Sequence, residues 1–168
     1  MSEEIINKVA NSDLITIDLA DYSPKSEIIE FDLKQLLFEE NILIEKVFRA
    51  ALIDFNFSIY SNKIVALFCS SEAIVPMWAY MLLTVRLNNV NSEIYYGNKN
   101  TVFQKLILQN IRLSDARIFK NKKVIIKGCS NIPLNESLYI AITKNLQVHV
   151  SSLMFGEACS SVPVYKRK

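Results

Sequence analysis

Lys63-Ile64-Val65-Ala66-Leu67-Phe68-Cys69-Ser70-Ser71 decides how the rest of the chain is read. A short apolar run, Ile64–Phe68, is bounded by a lysine and by Cys-Ser-Ser. Its length suits a strand, and its lack of alternation suits one that is buried. A helical pattern follows over residues 73–87. The same alternation continues downstream. Glu93–Tyr96 leads past Gly97 to a helix over 101–111, and Lys123–Ile126 leads to a helix over 135–144. A last strand over 147–155 leads to the C-terminal tail. Strand–helix alternation of this kind predicts parallel strands joined by right-handed crossovers.

Upstream of Lys63 the pattern is more varied. Residues 2–10 have a short helical period, with Ile5, Ile6 and Val9 on one face. Residues 14–18 alternate as a strand, and Tyr22-Ser23-Pro24-Lys25 is a turn. Residues 28–31 read as a further short strand, and 32–38 and 44–55 as helices. The reading is α/β: a single domain over 1–168, with a mostly parallel sheet, flanking helices and an N-terminal α+β extension of edge strands and covering helices. Val65, Leu67, Tyr80, Leu83, Leu106, Ile125, Leu138 and Leu153 are the expected core. Met77, Tyr80 and Met81 are expected to share a core-facing side of their helix.

The chain has 168 residues, 51% of them hydrophobic and 21% charged, with a net charge of +2. That length suffices for a sizeable core. The charge gives no general attraction to nucleic acid or membrane, and Lys166-Arg167-Lys168 reads as a solvated tail. The acidic start, Met1-Ser2-Glu3-Glu4, lacks the pattern of a signal peptide, and no apolar run is long enough to span a bilayer. The expectation is a soluble, cytoplasmic protein with reduced cysteines. With three glycines, no phosphate-binding or dinucleotide loop can be written.

All three cysteines share a context. Cys69-Ser70, Cys129-Ser130 and Cys159-Ser160 each follow a strand-like run, and each is followed by a proline: Pro76, Pro133 and Pro163. Parallel neighbouring strands would bring the three thiols to one sheet edge, where open α/β sheets bind ligands. Three thiolates with a fourth ligand can hold zinc or an iron–sulfur cluster. A shared tetrahedral ion would need sulfurs about 3.8 Å apart. Cys69, Cys129 and Cys159 are therefore the candidate metal ligands, with Glu72 and Glu157 as candidates for the fourth. Plain burial of the cysteines and thiol chemistry stay open beside this reading. His149, the one histidine, falls inside the predicted strand over 147–155 and away from its C-terminal end, so it reads as structural. A weak echo, Cys69…Pro76…Tyr80 against Cys129…Pro133…Tyr139, reads as shared βα-turn geometry rather than as duplication.

Four stretches carry a resemblance: Ser-Glu-Glu-Ile-Ile-Asn-Lys-Val-Ala-Asn-Ser from Ser2, VALFCSSEAIVPMWAYMLL from Val65, VIIKGCS from Val124 and GEACSSVPVYKRK from Gly156. Together they resemble the bacterial domain-of-unknown-function 2480 family along essentially the whole chain. Ala158 stands where that family's pattern has a proline. The resemblance implies an uncharacterised bacterial protein encoded near iron–sulfur assembly genes, with iron–sulfur assembly proteins as partners, and it assigns no residue a role. It favours an iron–sulfur cluster over zinc. The expected function is a cysteine-ligated metal or iron–sulfur accessory protein. The alternatives are a non-enzymatic interaction module with buried cysteines and a thiol enzyme or sulfur carrier.

Overall fold

The computed structural model describes residues 14–168. The expected helix over 2–10 lies outside them. The chain is α/β, as the alternation predicts, but its strands form two sheets rather than one. It divides into two compact units, one made of residues up to Ser23 and from Leu106 onward, the other of Pro24–Lys105.

The second unit is continuous in sequence. Strand β2 (Ile28–Asp32) pairs in parallel with β3 (Ile64–Phe68), which pairs in parallel with β4 (Glu93–Tyr96). Asp32 ends β2 and caps a 3-10 turn over Leu33–Leu36, accepting the Lys34 N–H. The expected helix over 32–38 is only this turn: at Leu37 the backbone is already extended (φ −86°, ψ 146°), and its N–H closes the turn on the Lys34 carbonyl. Helix α1 (Glu45–Asp54) buries Phe48 and Leu52, and helix α2 (Met77–Asn88) buries Ala79, Leu83 and Leu87. These pack with Phe31, Val65 and Leu67 in one core.

In the first unit β1 (Leu14–Ile17) pairs in parallel with β5 (Lys123–Ile126), and β5 with β6 (Ser152–Glu157). β7 (Ser160–Lys166) then adds antiparallel to β6. Helix α3 (Lys99–Leu113) runs across the division in sequence and buries Ile107 and Ile111 in its second half. Helix α4 (Glu136–Leu146) buries Leu138, Ile142 and Leu146, and Asn135 caps it through the Leu138 N–H. Residues 147–151 are not strand. They form the turn after α4, where the His149 and Val150 N–H groups both return to the Leu146 carbonyl.

Seven of the eight expected core residues are buried, and Tyr80 is half-buried. Met77 and Met81 are 71% and 67% exposed, so the core face of α2 is the Ala79–Leu83–Leu87 stripe instead. Among the described residues no helix is long and apolar enough to cross a membrane.

The two units share one internal plan. A fixed shift of 59 residues, as from Tyr80 to Tyr139, carries the second unit from α1 to β4 onto the first unit from α3 to β6. It matches Asn62 with Asn121, both at positive φ (58° and 61°), and Gly97 with Gly156, at φ 131° and 120°. The Asn62 N–H reaches the Val90 carbonyl, and the Asn121 N–H the His149 carbonyl, one shift apart. The β3–β4 pair Ile64↔Glu93 maps onto the β5–β6 pair Lys123↔Ser152. A shift of 14 residues, from Asp18 to Asp32, relates β1 and its 3-10 turn (Leu19–Tyr22) to β2 and its own. Such agreement in burial, caps and register goes beyond shared turn geometry. Of the echo's three pairs only Tyr80 and Tyr139 obey this shift: it matches Cys69 with Gly128 rather than Cys129, and Pro76 with Asn135 rather than Pro133.

Candidate functional site

Each sheet ends in a cluster of polar side chains at the C-terminal end of its parallel strands. In the first unit the cluster starts from Asp18, which follows β1. Its carboxylate accepts the Ala20 N–H at 2.9 Å, the Ser130 hydroxyl at 3.0 Å and the Lys127 ammonium at 3.2 Å. The Ala20 N–H is the largest influence holding this carboxyl below its ordinary pKa; Ser130 and Lys127 act in the same direction against a cost from burial. Lys127 is held above its ordinary value chiefly by Asp18, with further contributions from Glu157 and Cys129.

Cys129 lies two residues beyond Lys127 and is exposed. Its thiol donates to Glu157 Oε1 at 3.4 Å, from the end of β6. Between Lys127 and Cys129, Gly128 lets the Phe155 ring approach closely: a Cβ there would stand 2.9 Å from that ring and would push it aside. Phe155 in turn meets Tyr139 edge to face at 5.6 Å, and the Tyr139 hydroxyl donates to the Lys127 carbonyl at 3.2 Å. The arrangement thus sets an exposed thiol against a carboxylate, at the strand end that also carries Lys127.

In the second unit Asp32 plays the part of Asp18. It accepts the Ser70 N–H at 3.0 Å and the Ser70 hydroxyl at 2.5 Å. Burial pushes its carboxyl up, but the Ser70 and Lys34 hydrogen bonds outweigh it and hold the group below its ordinary pKa. Beside this edge is a cavity of about 710 Å³, reached by half-buried Cys69 and lined also by Ser71, Tyr80, Thr84 and Tyr96. The Tyr80 and Tyr96 rings meet edge to face at 5.9 Å.

The three cysteines are thus set in different contexts. Cys69 follows a strand of one sheet and Cys129 a strand of the other, and Cys159 sits in the turn of the antiparallel β6–β7 hairpin. The premise of three parallel strands ending at one sheet edge does not hold. Among the described residues no group of three or more His, Cys, Asp or Glu side chains is arranged to hold a metal ion. The expected cysteine cluster therefore has no support here. Of the expected fourth ligands, Glu157 does meet a cysteine, whereas Glu72 is exposed on the loop after Cys69. His149 lies in a turn rather than in a strand, and its carbonyl secures Asn121.

Sequence reasoning missed Asp18, Asp32 and Lys127. The signal that could have found the two aspartates is the repeated Asp-Leu pair closing an apolar strand, Asp18-Leu19 and Asp32-Leu33.

No curated protein and no solved structure matches the chain. A family model does, over residues 3–167, and its description is "Protein of unknown function (DUF2480)". With nearly its whole length matched, the chain belongs to the DUF2480 family.

Proposed function

We propose that the protein performs thiol chemistry at Cys129, accepting sulfur or entering disulfide exchange. The observation that carries the reading is the Cys129–Glu157 contact at 3.4 Å, on the edge that also holds Lys127. The Cys129 thiol, oriented by its hydrogen bond to Glu157, gives up its proton to solvent. The thiolate then attacks the outer sulfur of a persulfide donor, R–S–S–H; the new S–S bond forms on Cys129, and the donor leaves as R–S⁻. The step needs a persulfide donor, and the family resemblance suggests a persulfide-bearing protein of iron–sulfur assembly as that partner. A metal bound by Cys69, Cys129 and Cys159 is not favoured by any arrangement among the described residues.

Alkylation by iodoacetamide, followed residue by residue between pH 6 and 9, tests the reading. Cys129 should react about tenfold faster than Cys159, although both are exposed, and Lys127→Met should remove most of the difference. Equal rates at the two cysteines, or a Lys127→Met protein that reacts as the wild type does, would refute it.

A second reading, an interaction module that docks an apolar segment of another protein, is favoured by α2. Its outer face exposes Met77, Met81 and Val85, whereas the matching positions of α4 are Glu136, Ile140 and Lys144. This reading takes over if Cys129 proves inert.

A further inference from the structure

We propose that the cavity at the C-terminal edge of β3 and β4 binds an uncharged small molecule with a flat ring and a hydrogen-bond acceptor. This goes beyond the Cys129 reading and stands on the other unit. The cavity, about 710 Å³, falls in the range of small-molecule sites, roughly 300–1,000 Å³. It also lies where open α/β sheets place ligands. Among the described residues no charged side chain lines it. Leu67, Val75, Met77 and Ile94 supply apolar wall, and Ser71, Tyr80, Thr84 and Tyr96 supply hydroxyls. A charged ligand would lose its hydration there without a counter-charge.

The repeat shows which of these features are particular to this unit. The tyrosine matched to Tyr80 is Tyr139, and its hydroxyl is taken by the Lys127 carbonyl. The residue matched to Tyr96 is Phe155, which has no hydroxyl and packs over Gly128. In the second unit, the equivalent place has a phenol on both rings, and among the described residues neither phenol has a hydrogen-bond partner. The Thr84 hydroxyl is already given to the Tyr80 carbonyl at 2.8 Å, and that of Ser71 to Asn41 at 2.9 Å. Apart from the weakly donating Cys69 thiol, the two phenols are thus the donors left for a ligand acceptor. The edge-to-face pair leaves ring faces against which a flat ring can stack. Met77, exposed and flexible at the rim, can adapt to the ligand's shape.

The neutral naphthalene ketone 6-propionyl-2-(dimethylamino)naphthalene is a suitable probe, since it is flat and carries one carbonyl acceptor. With the full chain, it should bind saturably, with blue-shifted emission. At saturation it should slow iodoacetamide alkylation of Cys69 by about fivefold while leaving Cys129 unchanged, so that the outcome is independent of how Cys129 itself reacts. Thr84→Phe, which fills the cavity, should weaken binding by about tenfold, or roughly 1.4 kcal/mol. Tyr96→Phe, at a position 70% exposed and therefore safe for folding, should weaken it about threefold by removing one donor. Unslowed alkylation of Cys69, or equal affinity for the anionic 1-anilinonaphthalene-8-sulfonate, would overturn the proposal. So would unchanged binding by both variants.

Discussion

Asp18 and Asp32 each close a strand, cap the following turn and receive a serine hydroxyl from the neighbouring strand's loop. Replacing such a cap by a side chain that accepts less well costs about 0.5–2 kcal/mol. For both carboxyls the folded pKa is lowered. Their contribution is therefore complete above the unfolded value of about 3.9 and disappears as pH falls through the lower folded value. Asp18→Asn should thus lower the urea midpoint at pH 7 and change it little at pH 2. An equal loss at both pH values would show that the charge is irrelevant. These aspartates were hard to find in the sequence because an aspartate after a strand is commonplace. The three cysteines are conspicuous by being few, yet rarity says nothing about whether side chains meet. What linked Cys129 to Glu157 was the pairing of β5 with β6, and no residue type announces that.

At the level of elements, the bounds of β3, β4 and β5 could be read directly, since each is a compact apolar run with a turn on either side. β6 was expected too early, because Val148 and Val150 look strand-like. Val148 is in fact 71% exposed, in a turn fastened to Leu146. β7 could not be read at all: its run is interrupted by Pro163 and opens with serines. The face of α2 was misjudged because this helix is apolar nearly all round, so periodicity alone does not choose a side. The repeat does choose one, since Leu83 matches Ile142 and both are fully buried. Leu83→Ala and Ile142→Ala should each cost about 2–5 kcal/mol. Met81→Ala, on the exposed face, should stay within about 0.5 kcal/mol. Denaturant midpoints for the three variants decide whether the helix orientation is right.

For the molecule as a whole, strand order was the missing information. β1 pairs with β5 across more than half the chain, while β2 pairs with β3 close by. Hydrophobic patterning records that strands are buried but not which neighbours they choose, so one sheet and two sheets look alike in sequence. The repeat settles the plan once register is known, and among the described residues leaves β7 as the single strand without a counterpart. That addition has a bearing on crowding in solution. An outer strand with unused N–H and C=O groups invites strands from other molecules, and β7 presents exposed Val162 and Val164. Pro163 removes one donor from that rim, a bulge opposite Leu153/Met154 breaks its regularity, and Lys166 adds charge at its end. Light scattering on concentrated protein should therefore stay flat for the natural chain and rise with time for Pro163→Val, whose restored donor offers a template for fibrous growth.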